Sequence, residues 1–152
     1  MKLSPHFSLE ELTASTTAKR LGLDNTPAHE LVPRLVLLAE MLERIRSTLN
    51  VPVVVTSGYR CPRVNQAVGG ATTSDHPQGH AADIVAPKFG SATEVARTLA
   101  PLVSVLGIGQ IILEGVKGKQ WVHVSTRPPQ RAVNRILTIT ASSVRPGIHA
   151  LA

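Results

Sequence analysis

The chain has 152 residues, of which 43% are hydrophobic, and it carries a formal net charge of +6. This length fits one domain with its own core, and an aromatic content of 3% leaves Leu, Val, Ile and Ala to build that core. The single cysteine, Cys61, excludes an internal disulfide, and we interpret it as a small packing residue. No apolar run is long enough to span a bilayer, so membrane insertion is not expected.

The positive charge is compatible with an acidic polymer as partner. The basic residues are scattered, however, with no Lys/Arg run and few aromatic side chains to stack on bases, so nucleic-acid binding is not expected. The first six residues lack the apolar region that a signal peptide needs, so a signal peptide is not expected. We therefore expect synthesis in the cytoplasm, and any action outside it depends on help from another component.

Helical patterns dominate the first fifty residues. Ser8 and Glu11 form a capping box that predicts a short helix, which ends in the small, poorly helical residues 13–17. A loop is expected at residues 25–27. Leu and Ile then recur at three- and four-residue steps from about residue 28 to 50, and this spacing predicts a long amphipathic helix in the core.

Short strands and helices share the rest of the chain. Runs of β-branched and apolar residues predict strands at about 51–56, 81–86, 110–114, 121–125 and 135–140. A helical turn is expected at 62–65, and Ser91 and Glu94 form a second capping box that begins a helix. We expect one α+β domain over residues 1–152, with an antiparallel sheet, helices mainly on one face, and a loosely held tail beyond about residue 142.

The stretch 74–83 places two imidazoles and a carboxylate within ten residues. Neutral His nitrogens and Asp oxygens are ordinary zinc ligands, and a catalytic zinc takes three protein ligands and keeps a fourth position open. His76 and Asp83 supply two candidates. The third is His123, which interrupts the apolar alternation of residues 121–125. These residues predict one zinc ion per chain.

Amide hydrolysis at such a site needs a group that moves protons and a donor near the carbonyl oxygen. Glu114 ends the strand predicted to pair with that of His123, so we expect it to reach the metal as general base. Arg60 ends a neighbouring strand, and its fixed charge can clamp a carboxylate or polarise a carbonyl. Alternatives stay open: Glu114 as a solvated strand end, Arg60 as a loop-holding residue, and His80 as a residue that supports a metal ligand, as a base or as a surface residue.

Several motifs extend over nearly the whole chain. They are Phe-Ser-Leu-Glu-Glu-Leu at 7–12, Leu-Asp-Asn-Thr-Pro at 23–27, Ser-Gly-Tyr-Arg at 57–60, Asn65, Val-Gly-Gly at 68–70, Ser-x-His-x-x-Gly-x-Ala-Ala-Asp at 74–83 and Trp-Val-His-Val-Ser at 121–125. Together they resemble the D-alanyl-D-alanine carboxypeptidase-type zinc peptidases. These are murein peptidases related to the vancomycin-resistance dipeptidases and the hedgehog fold, in a branch carried by phages and bacteria.

The resemblance implies zinc on His76, Asp83 and His123, Arg60 near the substrate, and Ser74 as a hydrogen-bond donor to it. The implied substrates and partners are peptidoglycan peptides, which are cleaved next to D-amino acids. An endolysin-like or wall-remodelling enzyme of this kind acts on the cell wall after release, or is carried in a virion. We expect a monomer.

Two positions depart from the family pattern. Many relatives have an acid three residues before the last ligand, where this chain has Gln120, and others have a His two residues before it, where this chain has Trp121. Two other functions stay open, and Gln120 is the main support for the first of them. One is a wall-peptide-binding module that keeps zinc but has lost the base, and the other is a phage virion or tail component that uses the fold structurally.

Overall fold

Six strands and six α-helices are found in residues 1–151, the part of the chain that this computed structural model describes. The strands are β1 (Val54–Ser57), β2 (Ala81–Val85), β3 (Gln110–Val116), β4 (Lys119–Ser125), β5 (Ile136–Thr140) and β6 (Val144–Pro146). The helices are α1 (Leu9–Thr13), α2 (Thr16–Leu21), α3 (Val32–Leu49), α4 (Pro62–Ala67), α5 (Ala92–Leu99) and α6 (Val103–Leu106). Short 3-10 turns lie at His29–Leu31, Ala100–Leu102 and Ala132–Asn134.

The strands form one sheet in the order β1-β2-β4-β3-β5-β6. Neighbouring strands are antiparallel except β3 and β5, which are parallel. This parallel pair follows from the topology, because β5 comes after the antiparallel strand β4 but lies on the far side of β3. The predicted α+β fold is confirmed, with a mixed sheet in place of the expected antiparallel one.

One face of the sheet contributes to the hydrophobic core. Alternate residues of the central strands point to it and are fully buried, namely Ile84, Ile111, Leu113, Val122 and Val124. They share one buried cluster with residues of α3 and α5. Within α3 the buried positions recur at the predicted spacing, at Leu35, Leu38, Leu42, Ile45 and Leu49. Each such side chain stabilises the fold by about 1.5–3 kcal/mol.

The opposite face of the sheet carries polar residues at its centre. Asp83 of β2 pairs in register with His123 of β4, which in turn pairs with Ile112 of β3. Side chains alternate along a strand, so these residues lie on the face opposite to Ile84 and Val122. Helices α3 and α5 pack on the apolar face and leave the centre of the other face to the functional groups.

Helix α2 and strand β6 are among the elements that lie outside the sequence prediction. Helix α2 begins after Ser15, whose side chain accepts a hydrogen bond from the backbone N–H of Ala18. Strand β6 lies beyond residue 142, where the sequence predicts a loosely held tail, and it forms the edge of the sheet next to β5. Among the helices of residues 1–151, none has the length and apolar character needed to cross a membrane.

Candidate metal centre and active site

Three buried side chains meet on the polar face of the sheet: His76, Asp83 and His123. Strand pairing places Asp83 opposite His123, and the loop between α4 and β2 brings in His76. Asp83 Oδ1 lies 3.3 Å from His76 Nε2 and 3.2 Å from His123 Nδ1. The three residues predicted as zinc ligands therefore form one group, called here the His–Asp–His cluster.

Hydrogen bonding leaves His76 in the form that binds a metal. Its Nδ1 lies 2.7 Å from the carbonyl oxygen of Gly58, and because a carbonyl only accepts, Nδ1 carries the proton. Nε2 keeps its lone pair, and this atom is buried without a hydrogen-bond partner among the described residues. An unpartnered buried polar atom is costly, and a metal ligand bond would satisfy it.

The spacing of the donor atoms also fits zinc. Nitrogen and oxygen ligands lie about 2.0–2.1 Å from a tetrahedral zinc ion, so two of them are roughly 3.3 Å apart. The Asp83 oxygen is 3.2 Å and 3.3 Å from the two histidine nitrogens. Two imidazoles and one carboxylate are an ordinary donor set for zinc. The residues present therefore fit this metal.

Charge inside the cluster keeps Asp83 ionised. Burial alone would raise the pKa of Asp83, but the hydrogen bond from His123 and the close approach of His76 outweigh burial and hold that pKa well below its ordinary value. Burial likewise disfavours the charged form of His123, but Asp83 raises the pKa of His123 above its ordinary value. A buried carboxylate needs a compensating positive charge, which a protonated His123 or a bound cation supplies.

Glu114 lies on the same face of the sheet as the cluster. It pairs with Trp121 across the β3–β4 hairpin, and Trp121 precedes His123 by two residues on the same side of β4. Burial and the negative charge of Asp83 raise the pKa of Glu114 above its ordinary value. Glu114 therefore takes up a proton more readily than an exposed carboxylate does.

Arg60 contacts the cluster from the turn after β1. Its Nη2 lies 3.5 Å from Asp83 Oδ2, and its Nη1 donates to Asn65 Oδ1 at 3.2 Å. Burial lowers the pKa of Arg60 and the charge of Asp83 opposes this shift, but a guanidinium stays protonated in either case. Gly70 is needed here, because a Cβ at this position would lie 2.0 Å from Asn65 Oδ1 and 3.0 Å from Arg60 Nη1.

The other polar residues of stretch 74–83 are not members of the cluster. Ser74 Oγ accepts a hydrogen bond from the backbone N–H of His76 at 3.2 Å, so it stabilises the loop that carries this ligand. His80 Nδ1 lies 3.3 Å from Thr126 Oγ1. Burial and the charge of Arg34 lower the pKa of His80, which favours its neutral form.

A network that the sequence analysis missed joins the loop of His76 to strand β4. Asp75 Oδ2 accepts a hydrogen bond from the buried Ser125 Oγ at 2.8 Å, and Oδ1 pairs with Arg127. These contacts hold the loop close to the strand of His123. One signal in the sequence could have indicated this, since Ser125 follows His123 by two residues and so shares its face.

A cleft of about 400 Å³ opens beside Asp83 and Arg60. Its walls come from the beginning of α2, from α4 and from the β3–β4 hairpin, with Ser15, Thr16, Thr17, Val64, Val68, Lys119 and Trp121 among the lining residues. The lining is largely polar, with Arg60, Asp83 and Lys119 around a smaller apolar part formed by Val64, Val68 and Trp121. The cleft therefore reaches the cluster at Asp83.

The fold and the site together define a class. This is a small α+β protein with a buried His–Asp–His cluster of metal-ligand type beside a cleft and a carboxylate on the same face, an arrangement typical of metallohydrolases. A family model described as Peptidase M15 matches residues 5–125, and the chain belongs to this peptidase family. The resemblance seen in the sequence motifs is thereby confirmed. Comparison with curated proteins gives no match.

Proposed function

We propose that the protein is a zinc-dependent peptidase that cleaves bonds next to D-amino acids in peptidoglycan stem peptides or crosslinks. The observation that carries this proposal is the preformed ligand set, with Asp83 Oδ1 at 3.3 Å from His76 Nε2 and 3.2 Å from His123 Nδ1. Membership of the M15 family supports peptide hydrolysis. The choice of peptidoglycan rests on the motif resemblance.

Each residue around the cluster has a distinct task in this reaction. Zinc, when bound, polarises the scissile carbonyl and lowers the pKa of a water molecule. Glu114 accepts the proton of the attacking water on its carboxylate and delivers it to the leaving nitrogen, and its raised pKa suits it to do both. Arg60 stabilises the negative charge that develops on the carbonyl oxygen.

Arg60 is held in place before a substrate binds. Its contacts with Asn65 and Asp83 hold the guanidinium in the lining of the cleft. A donor that is oriented in advance needs no reorganisation during the reaction, which is the main source of electrostatic catalysis. Ser74 is proposed to contribute a further hydrogen bond to the substrate through its hydroxyl hydrogen.

The geometry favours an enzyme over a wall-peptide-binding module without a base. Gln120 is the residue that suggests such a module, because many relatives carry an acid there. Gln120 precedes His123 by three residues in β4, so it points to the opposite face of the sheet. Glu114 already places a carboxylate on the face of the cluster. The virion or tail role stays a prediction from the sequence.

Mass spectrometry of muropeptides tests the proposed reaction. Purified peptidoglycan is incubated with the zinc-loaded protein. A carboxypeptidase is expected to remove terminal D-alanine, and an endopeptidase is expected to convert crosslinked dimers into monomers. Protein without zinc is the control. An unchanged muropeptide profile in the presence of stoichiometric zinc would contradict the enzyme and support the binding module.

A further inference from the structure

The cleft contains a cation that the proposed mechanism does not use. Lys119 begins β4 and lines the cleft together with Trp121. Its side chain is exposed, and across residues 1–151 no carboxylate lies within ion-pair distance of its ammonium group. Arg60, in contrast, is engaged by Asp83 and Asn65. Lys119 is therefore the cleft cation that is available to a ligand.

The position of Lys119 on its strand indicates how far from the scissile bond it acts. Lys119, Trp121 and His123 are spaced by two residues, so their side chains share the face of the cluster. At about 3.4 Å per residue, the Cα atom of Lys119 is roughly 14 Å from that of His123. The flexible side chain of Lys119 shortens this distance. An extended peptide advances by the same step, so the ammonium group meets a group about two or three residues from the scissile bond.

We propose that Lys119 determines specificity by binding a free carboxylate on the substrate peptide at this distance from the scissile bond. The inference rests on the proposed function and narrows its substrates to peptides with an acidic group there. The carboxylate of Asp83, which also lines the cleft, does not compete for Lys119, because it is held by His123 and Arg60. An ammonium group is a compact point charge that suits a carboxylate at a solvent-exposed edge of a cleft.

Pairs of synthetic peptides around a central D-alanyl-D-alanine bond test this proposal. Within a pair the peptides differ in one residue, Glu or Gln, placed two or three residues from the scissile bond on either side. At low ionic strength, the wild type is expected to have about fivefold higher kcat/KM for the Glu peptide of at least one pair. This preference should decrease with salt, because exposed charges are screened.

Two variants assign the preference to Lys119. In Lys119→Gln the ratio of the two kcat/KM values is expected to fall to about one. The matched control is Lys117→Gln, which makes the same charge change in the same hairpin, at a residue outside the cleft lining. Lys117→Gln should keep the wild-type ratio of kcat/KM for the Glu peptide to kcat/KM for the Gln peptide. If Lys119→Gln lowers kcat/KM by the same factor for the Glu peptide and the Gln peptide, the proposal is overturned.

Calorimetric binding of the same peptides separates this inference from the proposed reaction. If no peptide is hydrolysed but the wild type binds Glu peptides more tightly and Lys119→Gln does not, the reaction is wrong and the role of Lys119 stands. If the Glu and Gln peptides of each pair are hydrolysed at equal rates and bound with equal affinity, the role of Lys119 is wrong and the reaction stands. Undetectable binding of every peptide also overturns the role of Lys119.

Discussion

The backbone carbonyl of Gly58 decides which nitrogen of His76 can bind a metal. This carbonyl accepts from Nδ1 at 2.7 Å, so only Nε2 faces Asp83 with a free lone pair. Gly58 is required at this turn, because a Cβ would lie 2.3 Å from the carbonyl oxygen of Leu12. A glycine far from the ligand in sequence therefore sets the chemistry of the ligand.

Removal of one cluster ligand should abolish tight zinc binding. His123→Ala leaves His76 and Asp83, and two donors do not complete a three-ligand site. We expect wild-type protein purified without chelator to contain one zinc per chain by elemental analysis, and His123→Ala to contain much less. His80→Ala, which changes a histidine outside the cluster, is the control and should retain zinc. Full zinc content in His123→Ala would show that the ligand set is wrong.

Replacement of the proposed base should stop turnover without loss of metal. Glu114→Gln keeps the shape of the side chain but cannot accept a proton. We expect a loss of at least about two orders of magnitude in kcat on a muropeptide substrate, with zinc content and circular dichroism unchanged. If Glu114→Gln stays active and His80→Ala is inactive, then the base is His80.

The planar guanidinium of Arg60 should matter more than its charge. Arg60→Lys keeps the charge but loses the fork that contacts Asn65 and Asp83 together. We expect turnover on muropeptides to fall by at least about tenfold while the zinc content stays the same. Kinetics like those of the wild type would make Arg60 a residue that only holds the loop.

Among the elements, helix α3 fixes the amino-terminal segment through one carboxylate. Glu43 Oε2 accepts from Ser4 Oγ at 2.6 Å and from the backbone N–H of His6 at 2.7 Å, and Oε1 lies 2.8 Å from His6 Nδ1. Burial raises the pKa of Glu43, but these hydrogen bonds outweigh it and lower the pKa below the ordinary value of 4.5. The folded state therefore favours the ionised form of the Glu43 carboxyl group.

This lowered pKa links the stability of the fold to pH. A carboxylate with a lowered folded-state pKa stabilises the protein fully above its unfolded-state pKa, and the stabilisation is lost as the pH falls through the folded-state value. Glu43→Gln should lower the free energy of unfolding at pH 7 by about 1–2 kcal/mol, measured by urea denaturation of zinc-free protein. The difference from wild type should shrink below the ordinary pKa of 4.5.

Glu40→Gln is the matched control for this prediction. Glu40 lies on the exposed side of the same helix and has no hydrogen bond or ion pair to residues 1–151. Its substitution should leave the free energy of unfolding nearly unchanged both at pH 7 and below the ordinary carboxylate pKa of about 4.5. A Glu43→Gln effect that is the same at high and low pH would contradict the role assigned to Glu43.

Over the whole molecule, the positive charge is unevenly distributed. Residues 115–152 contain six Lys or Arg and no Asp or Glu, so they carry the whole formal charge of +6, and residues 1–114 are balanced. The basic residues look scattered in the sequence because no two of them are adjacent in this region. Arg127 is paired with Asp75, and the other five create a positive field around strands β4 to β6 and the connecting loops.

This field should favour binding to anionic wall polymers. We expect co-sedimentation with purified sacculi at low ionic strength, and loss of binding between about 0.01 M and 1 M salt, where the screening length falls from about 30 Å to 3 Å. Arg131→Gln with Arg145→Gln should weaken binding more than the control pair Arg20→Gln with Arg63→Gln. Binding that does not depend on salt would remove the electrostatic explanation.

Two parts of the fold were not predictable from local sequence. Helix α2 contains two threonines with low helix propensity, but the Ser15 cap and the buried Ala18 stabilise it. The residues of β6 are all exposed, so no apolar pattern marks them as a strand. They become a strand only by pairing with β5. Tertiary contacts outweigh weak local preferences in both cases.

The sequence by itself determined the types of ligand, the long core helix and the capped helix after Ser91, because ligand chemistry, hydrophobic periodicity and capping all act between near neighbours. Only the tertiary structure decided how the site is assembled. Asp83 and His123 are 40 residues apart and meet through strand register, and Asp75 and Ser125 are 50 residues apart. Register depends on the packing of the whole sheet against its helices, and no short stretch of sequence encodes it.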